Sequence, residues 1–249
     1  MNFVFLCTRL SGYFLACLKH LVSQNDGISV YCFAYSPSAD APYLYDEFPR
    51  ITVMFKENYS SREILSFIEE KRPSLLYVAG WGDKQYNHIA KCYFNRIPVI
   101  LGMDNPWTGS LKQRIATIFS PLLLKRTFNF IWVPGTIQYE FARRLGFKHN
   151  SILKGLYCAD VDNITNDENI SKTKTILFVG RLVEYKRPLW VIKAMEEFFN
   201  DQKHMDWQVM FVGNGPLKKS ILAKGEKYSW VKSVDFVQPP ELFDYYKEA

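Results

Sequence analysis

Arg181 and Lys186 stand five residues apart in the stretch Val179-Gly180-Arg181-Leu182-Val183-Glu184-Tyr185-Lys186-Arg187-Pro188. Arg carries a planar fork of donors and Lys a compact charge, a combination suited to gripping an anion. A helix starting just beyond them would add its positive N-terminus, and a diphosphate fits that chemistry. An isolated Arg and Lys at this spacing read as solvated loop charges, so their setting decides. Upstream, Thr175-Ile176-Leu177-Phe178-Val179 is a short β-branched and aromatic run that reads as a buried parallel strand. Downstream, Pro188 suits a first helical turn, and Leu189, Ile192, Met195 and Phe199 recur at helical spacing. The two cations therefore fall at the carboxyl end of a strand, where open α/β sheets bind ligands.

The context extends further along the chain. Gly180-Arg181-Leu182, then Lys186 and a helix, lead to the strand Gln208–Val212 and the turn Gly213-Asn214-Gly215-Pro216-Leu217. This succession resembles the second domain of the family 4 (group 1) glycosyltransferases of the GT-B fold. The resemblance implies that Arg181 and Lys186 neutralise the diphosphate of a nucleotide-sugar donor. It further implies transfer with retention of configuration, no metal ion or other cofactor, and a saccharide or lipid-linked acceptor of the kind met in polysaccharide biosynthesis. Lys154-Gly155-Leu156-Tyr157-Cys158-Ala159-Asp160 looks like the family's departure from its first domain. The family's Glu-x7-Glu segment does not occur before Ala249. The chain is accordingly expected to be truncated and inactive alone, and the competing expectation is a binding or scaffold protein derived from a transferase.

The elements that position these residues alternate as in a doubly wound sheet. Strands are expected at Phe3–Cys7, Ile28–Phe33, Leu75–Val78, Pro98–Gly102, Phe130–Val133 and Ser151–Leu153. Helices are expected at Tyr13–Val22, from Ser60 or Ser61 through Glu70, at Tyr86–Phe94, from Leu111 to about Lys125 despite Pro121, and from a Thr136 cap to Gly146. Beyond the polar stretch from Ala159 to Lys174, the second half reads strand, helix, strand, Gly-rich turn, helix (Leu217–Lys224), strand (Val234–Phe236) and a last helix from near Pro240. The fold class is α/β and GT-B-like. It has an acceptor-binding Rossmann-like domain at 1–157, a linker at 158–173, and the first part of a nucleotide-sugar-binding domain at 174–249.

Other candidate residues carry competing readings. Gly12, in Arg9-Leu10-Ser11-Gly12-Tyr13, matches the place where that family often has a glycine-rich loop, so the resemblance implies a loop that admits the acceptor and approaches the donor phosphates, while the residues alone read equally as an ordinary strand-to-helix turn. Gly213 and Gly215 could aim backbone N–H groups at phosphate or base, although the turn is too short for a dinucleotide G-x-G-x-x-G site. Asp104, in Gly102-Met103-Asp104-Asn105-Pro106-Trp107, sits near where many relatives carry a catalytic-region His, which is missing here. It is either a catalytic group that positions an acceptor hydroxyl by hydrogen bonding or accepts its proton, or a turn former ahead of Asn-Pro. His88 falls in a helix and reads as surface or packing. No H-E-x-x-H, Walker A, G-x-S-x-G or kinase motif is present, so hydrolase and phosphotransferase readings have no residues to rest on.

Composition bounds the rest. With 249 residues, 48% of them hydrophobic and 16% aromatic, the chain can bury substantial cores. The five cysteines are scattered without a C-x-x-C pair, which favours a reduced, cytoplasmic protein without a structural metal. The N-terminus lacks the features of a secretory signal, and no apolar run reaches the length of a membrane span. The net charge of +6 is concentrated between residues 111 and 157, where eight basic residues face Glu140 alone. Within this stretch Lys112, Arg114, Lys125 and Arg126 interleave with Ile115, Ile118, Phe119, Leu122, Leu123, Leu124 and Phe128. The pattern suits either a core-facing helix with a basic edge or a basic amphipathic helix lying on an anionic membrane. The expected partners are a nucleotide-sugar, an acceptor and the inner face of a membrane, with no nucleic acid.

Overall fold

The computed structural model describes residues 1–159, 172–199 and 206–249. The chain divides into two compact units. One comprises Met1–Ser36 and Tyr45–Ala159, the other Pro37–Leu44 and Asp160–Ala249. Pro37–Leu44 is thus grouped with the second unit although the sequence places it within 1–157. Most of the 158–173 linker lies outside the described residues.

The first unit runs β1 (Asn2–Cys7), α1 (Gly12–Ser23), β2 (Ser29–Ala34), β3 (Ile51–Phe55), α2 (Ser61–Lys71), β4 (Leu75–Ala79) and α3 (Lys84–Tyr93). It continues with β5 (Val99–Gly102), α4 (Leu111–Leu123), β6 (Phe130–Val133), α5 (Thr136–Arg144) and β7 (Ile152–Lys154). Its seven strands form one parallel sheet in the order β3-β2-β1-β4-β5-β6-β7. Side chains alternate across the sheet with period two, so β1 serves two cores. Val4 and Leu6 join Phe33, Leu76, Val78 and Ile131 against α2, α3 and α5, while Phe5 and Cys7 join Cys32, Tyr77, Phe14 and Leu18 against α1. Strand order switches direction at β1, with β2 on one flank and β4 on the other, which marks that point of the carboxyl edge as the ligand crevice of such a sheet.

Local chemistry fixes the helix starts. The Ser60 hydroxyl accepts from the Glu63 backbone N–H while the Glu63 carboxylate accepts from Ser60 N–H, a reciprocal cap for α2. Asp83 accepts from the N–H groups of Gln85 and Tyr86 and so starts α3 two residues before the expected Tyr86. Thr136 is the first residue of α5 and Gly135 occupies the cap, which corrects the expected Thr cap. Strand β3 has no counterpart in the sequence reading. It is an edge strand burying only Ile51, so its apolar pattern stays weak even though it pairs with β2 from Val30↔Ile51 to Ala34↔Phe55.

The second unit contains β8 (Thr175–Val179), α6 (Pro188–Phe199), β9 (Gln208–Val212), α7 (Lys218–Lys227), β10 (Val231–Val234) and α8 (Glu241–Glu248). Its parallel sheet has the order β10-β9-β8. Ile192 and Met195 of α6, Ile221 of α7, Val209 and Phe211 of β9, and Leu182 form its core. The expected strand at Val234–Phe236 lies three residues too late. Val231 is the buried residue that pairs with Val209, and this register sets the strand. Helix α7 also runs three residues further than expected, through Gly225.

Candidate functional site

In the second unit, Gly180–Arg187 leaves the carboxyl end of β8 and reaches α6 through a single 3-10 turn at Glu184–Lys186. Gly180 has φ +144°, and a β-carbon there would lie 3.0 Å from Lys186 Nζ. The lysine therefore folds back over the glycine, bringing its ammonium to the start of the loop that holds Arg181. Among the described residues Lys186 has no carboxylate within ion-pair distance, which leaves its charge available to an anion. Arg187 adopts the left-handed conformation at φ 55° and lays its guanidinium over the Trp190 ring, 4.4 Å from the centroid.

Gly213 and Gly215 sit beside this loop, and their roles are set by close approach of backbone to backbone. A β-carbon on Gly213 would fall 2.3 Å from the Gly180 carbonyl oxygen, and one on Gly215 would fall 2.6 Å from that of Leu182. Leu182 N–H donates to Asn214 O at 2.9 Å, and Leu217 N–H donates to Leu182 O at 3.0 Å. The two glycines let the turn after β9 lock onto the Arg181 loop.

Arg181 has a partner that sequence reasoning missed. Its Nε and Nη2 donate to Asp40 Oδ2 at 2.8 and 2.6 Å, while Ser38 Oγ donates to Asp40 Oδ1 at 2.6 Å. The Ser38 hydroxyl and then the Arg181 guanidinium hold the Asp40 carboxyl below its ordinary range. Pro37–Leu44 is anchored by Leu44 N–H donating to Gln238 Oε1 at 2.9 Å and by the Tyr43 ring meeting Phe236 edge-on at 4.8 Å. The only sequence signal was the Ser-x-Asp pattern among prolines and alanines, which reads as a turn and not as a contact with Arg181.

In the first unit, Gly12 opens α1 behind the Ser11 cap, at the carboxyl end of β1. Asp104 is exposed just past β5, and its backbone carbonyl accepts from Gln138 Nε2 at 3.1 Å. A β-carbon on Gly102 would lie 1.9 Å from the Tyr77 hydroxyl, so that glycine lets the phenol cross the strand end beside Asp104. Burial, followed by the Asp104 carboxylate, pushes the Tyr157 hydroxyl above its ordinary range. Burial, followed by Cys7, Tyr157 and Asp104, does the same for Tyr77. Both phenols are thereby kept neutral near the carboxylate. Further along the same edge, Lys56 is ion-paired with the buried Asp83, whose Oδ2 also accepts from Tyr35 OH at 2.5 Å. His88 lies in α3, 3.9 Å from the Cys92 sulfur.

The family model for group 1 glycosyl transferases matches residues 173–249, a span that holds Arg181, Lys186, Gly213 and Gly215. The resemblance is to glycosyltransferases. No curated protein matches the sequence. Among solved structures, HepE of Anabaena in complex with UDP superposes with a TM-score of 0.65 at 13% identity, over 97% of this chain and 71% of HepE. Sucrose-phosphate synthase of Thermosynechococcus elongatus gives 0.65 at 13% identity, over 100% of this chain and 74% of the synthase. UDP-N-acetylglucosamine 2-epimerase of Rickettsia bellii gives 0.55 at 12% identity, over 99% of this chain and 71% of the epimerase. At such identities the agreement is one of fold, and the fold is the GT-B-like α/β architecture.

In this glycosyltransferase-like chain the basic stretch has a distinctive setting. Helix α4 buries only Ser120, leaving Leu111, Ile118, Leu122 and Leu123 at least 60% exposed and Phe119 and Ile115 about half exposed. Lys112, Arg114, Lys125 and Arg126 are exposed, and none has an ion-pair partner among the described residues. Among the described residues no helix is long and apolar enough to cross a membrane.

Proposed function

We propose that the chain transfers a glycosyl group from a nucleotide-sugar donor to a saccharide or lipid-linked acceptor, with retention of configuration. The observation that carries this reading is the loop at the carboxyl end of β8, where Lys186 folds over Gly180 beside Arg181 within the stretch that matches group 1 glycosyl transferases. The fold alone does not select the reaction, because it also serves an epimerase. Arg181 and Lys186 bind the diphosphate and stabilise the charge that develops on the nucleoside diphosphate as the glycosidic bond breaks, so their interaction strengthens towards the transition state. The HepE structure with UDP supports a nucleotide of this kind as ligand. No step calls on a metal ion.

Residues 1–157 form the acceptor-binding part and 174–249 the donor-binding part. Asp104 orients the acceptor hydroxyl and takes its proton, with the neutral Tyr77 and Tyr157 phenols as neighbouring donors. Gly12, Gly213 and Gly215 shape the loops through which donor and acceptor enter. The exposed apolar face of α4, with Lys112 and Arg114 on the helix and Lys125 and Arg126 just beyond it, all without an ion-pair partner among the described residues, supports a peripheral position on the inner face of an anionic membrane, where a lipid-linked acceptor of polysaccharide biosynthesis would be presented.

Replacing Arg181 and Lys186 together by Ala tests the donor assignment. Each charge-assisted hydrogen bond contributes roughly 1.5–3 kcal/mol, so nucleoside diphosphate affinity falls at least about tenfold. Unchanged affinity in a folded double variant rejects the assignment.

A further inference from the structure

Cys17 lies on α1 and Cys158 lies in the segment after β7, 141 residues further along the chain, yet their sulfur atoms are 3.1 Å apart. The contact is part of an ordered seam within the first unit. Leu156 is fully buried, and Tyr157, at φ 86°, sets its ring against Tyr13 at 5.2 Å and Phe14 at 5.8 Å, both edge-on. Residues 156–158 therefore lie along α1, meeting positions 13, 14 and 17 of one helical face. Both thiols are reachable, since Cys17 is partly exposed and Cys158 exposed.

We propose that Cys17 and Cys158 are a redox-responsive pair that closes to an intramolecular disulfide by exchange with a low-molecular-weight disulfide such as oxidised glutathione. Bond formation requires the sulfurs to approach by about 1 Å, to the ordinary S–S length near 2.05 Å. Cys17 also lines an apolar cavity of about 360 Å³ against Phe3, Leu75 and Trp132, which gives its side chain room to turn. The exposed Cys158 thiolate attacks the small disulfide first, forming a mixed disulfide and releasing one thiolate. Cys17, deprotonated, then attacks the Cys158 sulfur, and the second small thiolate leaves. In sum, two protein thiols and one disulfide become one protein disulfide and two small thiols, with the two protons taken up by the leaving thiolates. The cross-link ties the last described residues of the first unit to the helix that begins at Gly12. The other cysteines do not compete for this bond. Cys7 and Cys32 are buried out of reach of a small disulfide, and Cys92 is on α3, beside His88.

The test equilibrates the full chain with glutathione at rising oxidised fraction, traps free thiols by alkylation in acid and maps peptides by mass. The expected first product is a Cys17–Cys158 cross-linked peptide, about two mass units lighter than the reduced pair. In Cys17→Ser the same conditions give glutathione on Cys158, because the resolving thiol is gone. The thermal midpoint of the cross-linked wild type equals or exceeds that of the reduced chain, as a bond matching native geometry requires. Glutathione on Cys158 of the wild type with Cys17 still free overturns the proposal, as do two thiols that stay alkylatable at about a tenfold excess of oxidised over reduced glutathione. A midpoint that falls on cross-linking overturns it equally, since the bond would then demand distortion.

Discussion

The Arg181 guanidinium places two donors, Nε and Nη2, on a single oxygen of Asp40, a residue 141 positions earlier in the chain. The proposed diphosphate ligand thus meets an arginine already engaged by an acid, while Lys186 has no ion-pair partner among the described residues. If the loop takes a diphosphate as proposed, Asp40 would compete with it, since its charge would repel the phosphates and it already holds one edge of the guanidinium. Asp40→Asn removes the charge and keeps the shape. It is expected to tighten nucleoside diphosphate binding up to about tenfold, or about 1.4 kcal/mol, in calorimetric titration. Weaker binding would instead mean that Asp40 holds Arg181 in its binding orientation.

Gly213 provides a test of the loop that needs no ligand. Alanine there would put its β-carbon 2.3 Å from the Gly180 carbonyl oxygen, a backbone atom that cannot rotate away, at a φ of +139°. Backbone strain of this kind costs about 1–3 kcal/mol before the clash is counted. Gly213→Ala is expected to destabilise the second unit by at least about 2 kcal/mol in denaturant unfolding, and to weaken nucleotide binding because the Arg181 loop must shift. An unchanged unfolding midpoint would show that the two loops are not locked together.

The loop from Gly180 to Arg187 was legible in the sequence because its signals are local: a β-branched strand, a glycine, two cations and a proline opening a helix, all within fourteen residues of Thr175. Strand β3 was not legible, because an edge strand burying one residue writes no clear alternation. The Asp40 contact with Arg181, the Lys56–Asp83–Tyr35 cluster and the Cys17–Cys158 pair share a different reason. Each joins residues far apart in sequence, and a single chain carries no mark of which distant side chains the fold will bring together. The turn at Gly213 and Gly215 was legible, but the close approach that requires its glycines, by the carbonyl oxygens of Gly180 and Leu182, was not.

Lys56 and Asp83 make a nearly buried ion pair, with side-chain exposures of 17% and 5%. Burial works to raise the Asp83 carboxyl, but the Lys56 ammonium, the Tyr35 hydroxyl and the Tyr86 backbone N–H outweigh it and hold the group below its ordinary range. Burial likewise works to lower Lys56, and Asp83 and Tyr35 outweigh it, so its ammonium is held above its ordinary range. A depressed carboxylate contributes stability that is present above its unfolded pKa and lost as pH falls through the folded value. A raised ammonium contributes stability that is present below its unfolded pKa and lost as pH rises through the folded value. Stability from this pair should therefore be level near neutral pH, falling in acid below about pH 4 and in alkali above about pH 10. Asp83→Ala strips the α3 cap and strands a buried ammonium, and should cost about 3 kcal/mol in the first unit at pH 7. The pH-unfolding curve of the variant should lose the acid limb that Asp83 supplies, and an unaltered curve would assign that limb to other carboxylates.

Helix α4 leaves most of its apolar stripe open, although Phe128 beyond it is buried and Leu124 packs against the core. A packing helix would bury its apolar stripe, whereas α4 buries Ser120 and leaves Leu111, Ile118, Phe119, Leu122 and Leu123 more than half exposed. Six exposed large hydrophobic residues on thirteen positions form the kind of contiguous patch that marks an interaction surface. On the proposed membrane reading, the nearby Lys112, Arg114, Lys125 and Arg126 would favour an anionic surface, each contributing about 1 kcal/mol near charged lipid. Attachment on these terms is reversible and salt-sensitive, because the Debye length shortens from about 10 Å at 0.1 M to about 3 Å at 1 M. The full chain should co-sediment with vesicles containing phosphatidylserine at low salt, release at high salt, and largely ignore phosphatidylcholine. Ile118→Asp with Phe119→Asp replaces two exposed side chains, so the fold should hold while binding falls several-fold. Lys125→Glu with Arg126→Glu should weaken binding at low salt and flatten its salt dependence. Equal partitioning onto both lipids, or full binding by the Asp double variant, would remove the membrane from the proposed function and leave the exposed face of α4 to a protein partner.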